Sequence, residues 1–339
     1  MQRSLSLFIT VVVNLLFFSC SGAAQKQNVD ISVLYHNPVY TNGTLPDPSV
    51  IRHSDGMFYL YATSSNVSVC RSSDLVTWES VGTAFTNANR PNFEPRASIW
   101  APDINYINGK YVMYYSMSVW GGIKTCGIGR ATASHPAGPF TDLGPLFRSN
   151  TIGVTNSIDP FYIEDEGKKY LFWGSWHGIW GIELSDDGLA LKGDALSKRQ
   201  IAGTAYEASY IHKRGNYYYL FASIGSCCEG VNSTYTTVVG RSQSLWGPYT
   251  DKKGQLMMNN HHETVIGKNQ YFVGTGHNSE IIQDDDGNDW ILYHGYRTSD
   301  GAGRLLFLDR IVWENDWPMV KDGSPSTNAY APVVRGVES

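Results

Sequence analysis

One phrase recurs five times along the chain, and nothing else in the sequence restricts the fold as much: a turn with glycine, then a run of aromatic and β-branched residues. It reads Asp55-Gly56-Met57-Phe58-Tyr59-Leu60-Tyr61, Asn108-Gly109-Lys110-Tyr111-Val112-Met113-Tyr114, Glu166-Gly167-Lys168-Lys169-Tyr170-Leu171-Phe172, Arg214-Gly215-Asn216-Tyr217-Tyr218-Tyr219-Leu220 and Asp286-Gly287-Asn288-Asp289-Trp290-Ile291-Leu292. Such phrases are hairpin turns entering strands. The glycines stand 53, 58, 48 and 72 residues apart, and each interval holds four short strands with their turns, the content of one propeller blade. Between the phrases no helical apolar period is sustained, and strand-like stretches such as Val67-Ser68-Val69-Cys70 stand there instead. The expectation is an all-β chain folded as a five-bladed β-propeller over residues 34–320. Three further segments, Ser72 to Trp78, Ala133 to Phe140 and Ser242 to Tyr249, read as blade-edge turns with a core aromatic.

Length alone, 339 residues, does not divide the chain, because all-β barrels and propellers often run long as one unit. Two stacked sandwiches would show no fivefold recurrence and would want a linker near the middle, yet Pro, Gly and Ser are spread throughout. With 42% apolar and 17% charged residues the chain suits a large folded core and not disorder. Its net charge of −5, with Lys and Arg scattered, lacks the footprint of a polyphosphate binder, so a neutral or weakly charged ligand fits better.

Arg3 followed by the mostly apolar run Leu5 to Phe18 reads as a secretory signal, too short and early for a membrane span. The stretch Phe17-Phe18-Ser19-Cys20-Ser21-Gly22 resembles a bacterial lipoprotein box, which would make residues 1–20 a signal, lipidate Cys20 and leave a periplasmic or outer-membrane lipoprotein; an ordinary cut after Ala24 is the alternative. Cys70, Cys126, Cys227 and Cys228 are too few for a disulfide scaffold, and the adjacent pair has no second pair at zinc spacing. Packing or one disulfide is expected. Nothing indicates an oligomer, and a monomer is expected.

Upstream of each repeated turn lies a polar phrase: Leu45-Pro46-Asp47-Pro48-Ser49, Trp100-Ala101-Pro102-Asp103-Ile104, Ser157-Ile158-Asp159-Pro160-Phe161, Tyr206-Glu207-Ala208-Ser209 and Gly276-His277-Asn278-Ser279-Glu280. Each offers a carboxylate six to nine residues before the glycine, where the innermost strand of a blade starts at the central channel. A single such carboxylate is ordinarily a cap or a solvated side chain. Several aimed at one channel repel one another and lose water, which keeps one carboxylic acid protonated near neutral pH while another stays ionised. That division suits glycoside hydrolysis, where one group protonates the leaving oxygen and the other activates water or attacks.

These motifs together resemble family 43 of the glycoside hydrolases, and within it the endo-α-1,5-L-arabinanases, from about His36 to the closing Asp316-Trp317-Pro318. The stretch Cys227-Cys228-Glu229-Gly230-Val231-Asn232-Ser233-Thr234-Tyr235, followed by Val239-Gly240-Arg241-Ser242, looks like one shared by those enzymes. The resemblance implies inverting cleavage of α-1,5-linked L-arabinan, with Asp47 as general base, Glu207 as general acid and Asp159 holding the acid and raising its pKa. Inversion needs room for water, so the two carboxyl groups should lie roughly 6.5–9.5 Å apart. It also implies that a histidine of the last blade, here His277, binds a calcium ion at the channel, as a structural or electrostatic aid. Asp103 and Glu280 match no catalytic position, and Asp103 reads as structural.

Neutral sugars are held by aromatic faces and directed hydrogen bonds. Trp100 and Trp120 occupy positions that resemble stacking sites, with core packing as the alternative; Asn156 and Ser157 are candidates for a hydroxyl contact, or simply turn residues. The run Asp284-Asp285-Asp286-Gly287 lacks EF-hand spacing and reads as a solvated hairpin tip. Two other functions stay open: an exo-acting arabinofuranosidase or β-xylosidase on the same scaffold, and a non-catalytic glycan-binding propeller.

Overall fold

The computed structural model describes residues 33–336, and these are all-β apart from a single helical turn at Ser149–Ile152 and a few 3-10 turns. The expected signal and lipidation site, residues 1–20 with Cys20, lie outside the described residues. Among the described residues no helix is long and apolar enough to cross a membrane.

The repeated phrases fold as hairpins for a local reason. Asn108 and Gly109 both take positive φ, 49° and 81°, and so do Glu166 and Gly167, at 51° and 75°. Two successive positive φ values make a turn whose twist matches that of the flanking strands, and glycine takes the second at no steric cost. Ile107 thereby pairs with Lys110, and Asp165 with Lys168.

Three antiparallel four-stranded meanders follow in chain order. The first comprises Ser49–Arg52, Phe58–Ala62, Ser68–Ser72 and Glu79–Thr83; the second Ser98–Ile107, Lys110–Ser118, Gly127–Ala133 and Thr141–Arg148; the third Phe161–Asp165, Lys168–Trp173, Ile179–Glu183 and Arg199–Ala202. Nine of the other eleven strands form one sheet in two halves, Glu207–Arg214, Tyr217–Ile224, Thr236–Ser242 and Glu263–Ile266, then Phe272–Gly276 through Trp317–Val320. A single parallel pair, Thr236 with Thr275, joins the halves.

Apolar packing links each sheet to the next. Tyr59 and Tyr61 of the first pack with Tyr111, Met113 and Tyr115 of the second; Val112 and Tyr114 of the second with Tyr162, Leu171 and Trp173 of the third; Phe172 of the third with Tyr219 and Phe221, and these with Tyr293 and Phe307. Leu292, Leu306 and Leu308 then pack on Phe58 and Leu60 of the first sheet. Each such side chain, fully withdrawn from water, contributes roughly 1.5–3 kcal/mol. Trp78, Phe140 and Tyr249, the aromatics of the three edge-turn segments, are buried as expected.

Two sequence expectations need revision. The folded body continues past residue 320, because Asn328–Tyr330 pairs antiparallel with Leu34–His36. Only part of the Asp284 to Gly287 tip is the solvated turn expected: Asp285, Asp286 and Gly287 are exposed in a turn, but Asp284 is not. Asp284 is buried and accepts hydrogen bonds from the amides of Asp286, Asn288 and Val333 and from Trp290 Nε1, while Asp285 pairs with Arg52 and accepts from the Arg335 amide. The run clasps the C-terminal segment, whose distance in sequence hid the partnership.

All five polar phrases share a backbone device. Asp47, Ala101, Asp159, Ala208 and His277 each take a positive φ, from 42° to 59°. Non-glycine residues adopt this conformation rarely and at a cost. Here it breaks the regular run of the inner strands; pairing slips between Trp100 and Asp103 and between Glu207 and Tyr210.

Candidate active site

A cavity of about 640 Å³ is lined by residues in or beside each of the three meanders and both halves of the nine-stranded sheet, among them Asp47, Asp159 and Glu207. The three carboxylates that the sequence singled out therefore meet in one hollow. Trp100, Trp120, Asn156 and His277 line it as well. Ser157 does not: it is fully buried, donates to the Val154 carbonyl at 2.8 Å and accepts from Trp173 Nε1 at 3.0 Å, so its hydroxyl is spent on the turn and is corrected from sugar contact to structure.

Asp47 has the densest set of partners. Arg304 Nη1 lies 2.8 and 3.1 Å from its two carboxylate oxygens, and Thr63 donates to Oδ2 at 2.6 Å. His277 and His294 each bring Nδ1 to 3.3 Å from Oδ1, and the Asp47 amide donates to His294 Nδ1 at 3.2 Å. Burial pushes this carboxyl up, but the guanidinium and the two imidazoles outweigh it and hold the group well below the usual carboxylate range. Burial also lowers both histidines, His277 to about 4. They are neutral near pH 7, so Arg304 is the charge that keeps Asp47 ionised. Arg304 escaped the sequence reading because 257 residues separate it from Asp47 and no motif surrounds it.

The Glu207–Asp159 pair is held differently, sharing a proton. Burial raises both, and the two carboxyls repel each other and feel Asp47. As a coupled pair they keep a proton to higher pH than an isolated carboxylic acid. Glu207 Oε2 accepts from Ser175 Oγ at 2.6 Å, and Asn156 Nδ2 donates to that Oγ at 2.9 Å. Asn156 thus reaches the acid through Ser175. Asp159 Oδ2 accepts from the Ala208 amide at 3.2 Å, which ties it to the residue next to Glu207.

Trp100 and Trp120 stand with ring centroids 5.6 Å apart at 52°, and Trp120 is 78% exposed. A tryptophan left this open on a cavity rim is a free stacking face and not core. A third, Trp176, lines the same cavity at 39% exposure and was not foreseen. Its signal was its place: it follows the strand Lys168–Trp173 as Trp120 follows Lys110–Ser118.

Beside the cavity a void of about 20 Å³ is lined by His277, Asn278, Ser209, Asp103 and Glu280. Ser209 Oγ and Asn278 Oδ1 are buried with no hydrogen-bond partner. Asp103 and Glu280 fasten strands: Asp103 accepts from the Tyr162 amide, Glu280 from Ser49 Oγ and the Val50 amide. Among the described residues no group of three His, Cys, Asp or Glu side chains converges as a metal cage.

The profile of "Glycosyl hydrolases family 43" matches residues 35–318. An extracellular exo-α-(1→5)-L-arabinofuranosidase of Cellvibrio japonicus is 34% identical over 303 residues, covering 81% of this chain and 86% of that protein. An extracellular endo-α-(1→5)-L-arabinanase of Bacillus subtilis is 33% identical over 290 residues, covering 82% and 88%. Among solved structures, the Cellvibrio cellulosa α-L-arabinanase complexed with arabinohexaose superposes with a TM-score of 0.73 at 32% identity, covering 82% of this chain and 96% of that one. A match running through all five acid-bearing phrases, at this identity and over this share of both chains, leads to one statement: the protein belongs to family 43 of the glycosyl hydrolases.

Proposed function

We propose that the protein is a secreted endo-acting hydrolase of α-1,5-linked L-arabinan that works with inversion on a five-bladed β-propeller. One observation carries the reading: within a single cavity Asp47 is held ionised by Arg304 while the buried Glu207–Asp159 pair retains a proton. Those are the two states the reaction needs. Glu207 gives its proton to the glycosidic oxygen as the bond from the anomeric carbon breaks. Asp47 takes a proton from the water that attacks that carbon from the opposite side. Asp159 positions Glu207 and loads its pKa. Trp100, Trp120 and Trp176 offer faces for the C–H patches of neutral furanose rings. The three meanders and the two halves of the nine-stranded sheet, packed in succession with the last on the first, are what five blades around a channel would give. Relatives named extracellular, and named for arabinan chemistry, support the substrate and the export.

A calcium ion beside His277 belongs to the same proposal. A neutral imidazole and two orphaned oxygens, Ser209 Oγ and Asn278 Oδ1, border one void and would supply three of the six to eight ligands that calcium takes, the rest being waters. Bound there, the ion supplies positive charge near the carboxylates and no bond-making step.

The test is digestion of linear arabinan with the products followed by NMR and sized by chromatography. A ladder of intermediate lengths with the β-anomer formed first is the expected result. Release of one short product from chain ends would replace the endo reading with the exo one, and a first-formed α-anomer would remove inversion.

A further inference from the structure

Cys227 and Cys228 form a disulfide between adjacent residues. Such a bond closes an eight-membered ring and ties no distant parts of the chain together. The stabilisation a cross-link draws from the unfolded state grows with the loop it closes, and here that loop is minimal. The ring's purpose is therefore local, and its location indicates what it is. Both cysteines line the active cavity, Cys227 half-buried and Cys228 exposed.

The position repeats. Trp120 stands two residues past the strand ending at Ser118, and Trp176 three past the strand ending at Trp173. Cys227 stands three past the strand ending at Ile224, the same strand whose Ser223 pairs with Glu207. The second, third and fourth sheets thus each send the same loop to the cavity, two with a tryptophan at its wall and one with the disulfide ring. The ring is also braced from behind. Tyr296 donates to the Cys227 carbonyl at 3.2 Å, Ser233 Oγ to the Ser226 carbonyl at 2.6 Å, and the Ser226 amide to Thr234 Oγ1 at 3.0 Å. Gly225, at φ 81°, lies so close to Thr234 that a Cβ would sit 2.3 Å from its carbonyl oxygen.

We propose that the Cys227–Cys228 ring is a sugar-contacting face of the cavity, the counterpart on the Glu207 side of Trp120 and Trp176. A stiff, apolar, polarisable sulfur surface suits the C–H face of a neutral furanose unit and costs no ordering when the sugar arrives. Following the strand whose Ser223 pairs with Glu207, the group assigned to protonate the leaving oxygen, it meets the leaving-group portion of the chain. The choice of an arabinofuranosyl ligand rests on the proposed function.

The test measures how fast a phosphine reductant opens this disulfide in the full-length Glu207→Gln protein, by alkylation and peptide mass, with and without a saturating linear α-1,5-arabinohexaose; maltohexaose is the control. Arabinohexaose should slow reduction about fivefold or more, and maltohexaose should not. In the otherwise wild-type protein, Cys227→Ser with Cys228→Ser should raise KM for arabino-oligosaccharides about fivefold while kcat stays within about twofold. Equal reduction rates with and without arabinohexaose, or cysteines that alkylate before any reductant is added, would overturn the proposal even if the serine variant fails to fold. The outcomes separate from the assigned activity: protection without arabinan hydrolysis by the wild type keeps the ring's role and removes the activity, whereas hydrolysis without protection does the reverse.

Discussion

A carboxylate enclosed as Asp47 is would ordinarily take up a proton, because burial penalises its charge. Arg304 reverses that outcome by standing 2.8 Å away. Replacing it (Arg304→Gln) removes the largest of the contributions that offset burial, so the pKa of Asp47 rises and the acidic limb of kcat/KM should move up by about 1–3 pH units; a pH–rate profile reads this directly. Glu207 has the opposite dependence. It must be protonated to act, and its raised pKa places the alkaline limb above the ordinary carboxylate range. In Asp159→Asn the neighbouring negative charge is gone and Glu207 releases its proton sooner, so the alkaline limb should shift to lower pH. The acids were legible in the sequence because each recurs at a fixed place in a repeat. Arg304, His294 and Ser175 were not, because nothing local to them signals their partner. Ser157 was misjudged since adjacency to Asp159 says nothing about which way a hydroxyl points, and here it points to Val154.

Strands explain how side chains so far apart in sequence converge. At or near the start of each inner strand one residue sits in the left-handed region, and in two strands that kink accompanies a break in pairing, between Trp100 and Asp103 and between Glu207 and Tyr210. The hairpins were readable because their determinants are adjacent residues; the kinks were not, since Asp, Ala and His occupy positions where a sequence would advertise glycine. At the chain's ends, Asn37 latches the N-terminal segment to the strand Leu305–Glu314, donating to the Leu308 carbonyl at 2.8 Å and accepting from its amide at 2.9 Å. Asn37→Ala leaves the Leu308 amide buried and unpaired, while the carbonyl keeps only its bond from Tyr35 Oη, which costs about 1–3 kcal/mol. Thermal denaturation should register a midpoint several degrees lower, with kcat nearly unchanged below the transition.

At the level of the molecule, the all-β class was legible in full, and the sheets follow the sequence repeats in chain order. What the repeat could not convey was the seam, where residues near 34 and 329 pair and the Asp284 run grips the tail. The proposed calcium is also a property of the whole, since its donors come from the fourth and fifth repeats. Metal analysis of the purified protein should find about one calcium per chain; chelation should lower kcat, and His277→Ala should show that loss while becoming insensitive to chelator. Fully active protein without the ion would remove it from the site. The central claim is the division of labour between Glu207 and Asp47, and leaving-group chemistry tests it most directly. The dinitrophenolate of a dinitrophenyl arabinotrioside departs without protonation, whereas the sugar alkoxide released from arabinan needs a proton. Glu207→Gln should lose about 10²–10⁴-fold on arabinan yet stay within about tenfold of wild type on the dinitrophenyl substrate, while Asp47→Asn loses activity on both. Equal losses on both substrates for Glu207→Gln, or an Asp47→Asn enzyme that still turns over the dinitrophenyl substrate, would contradict it.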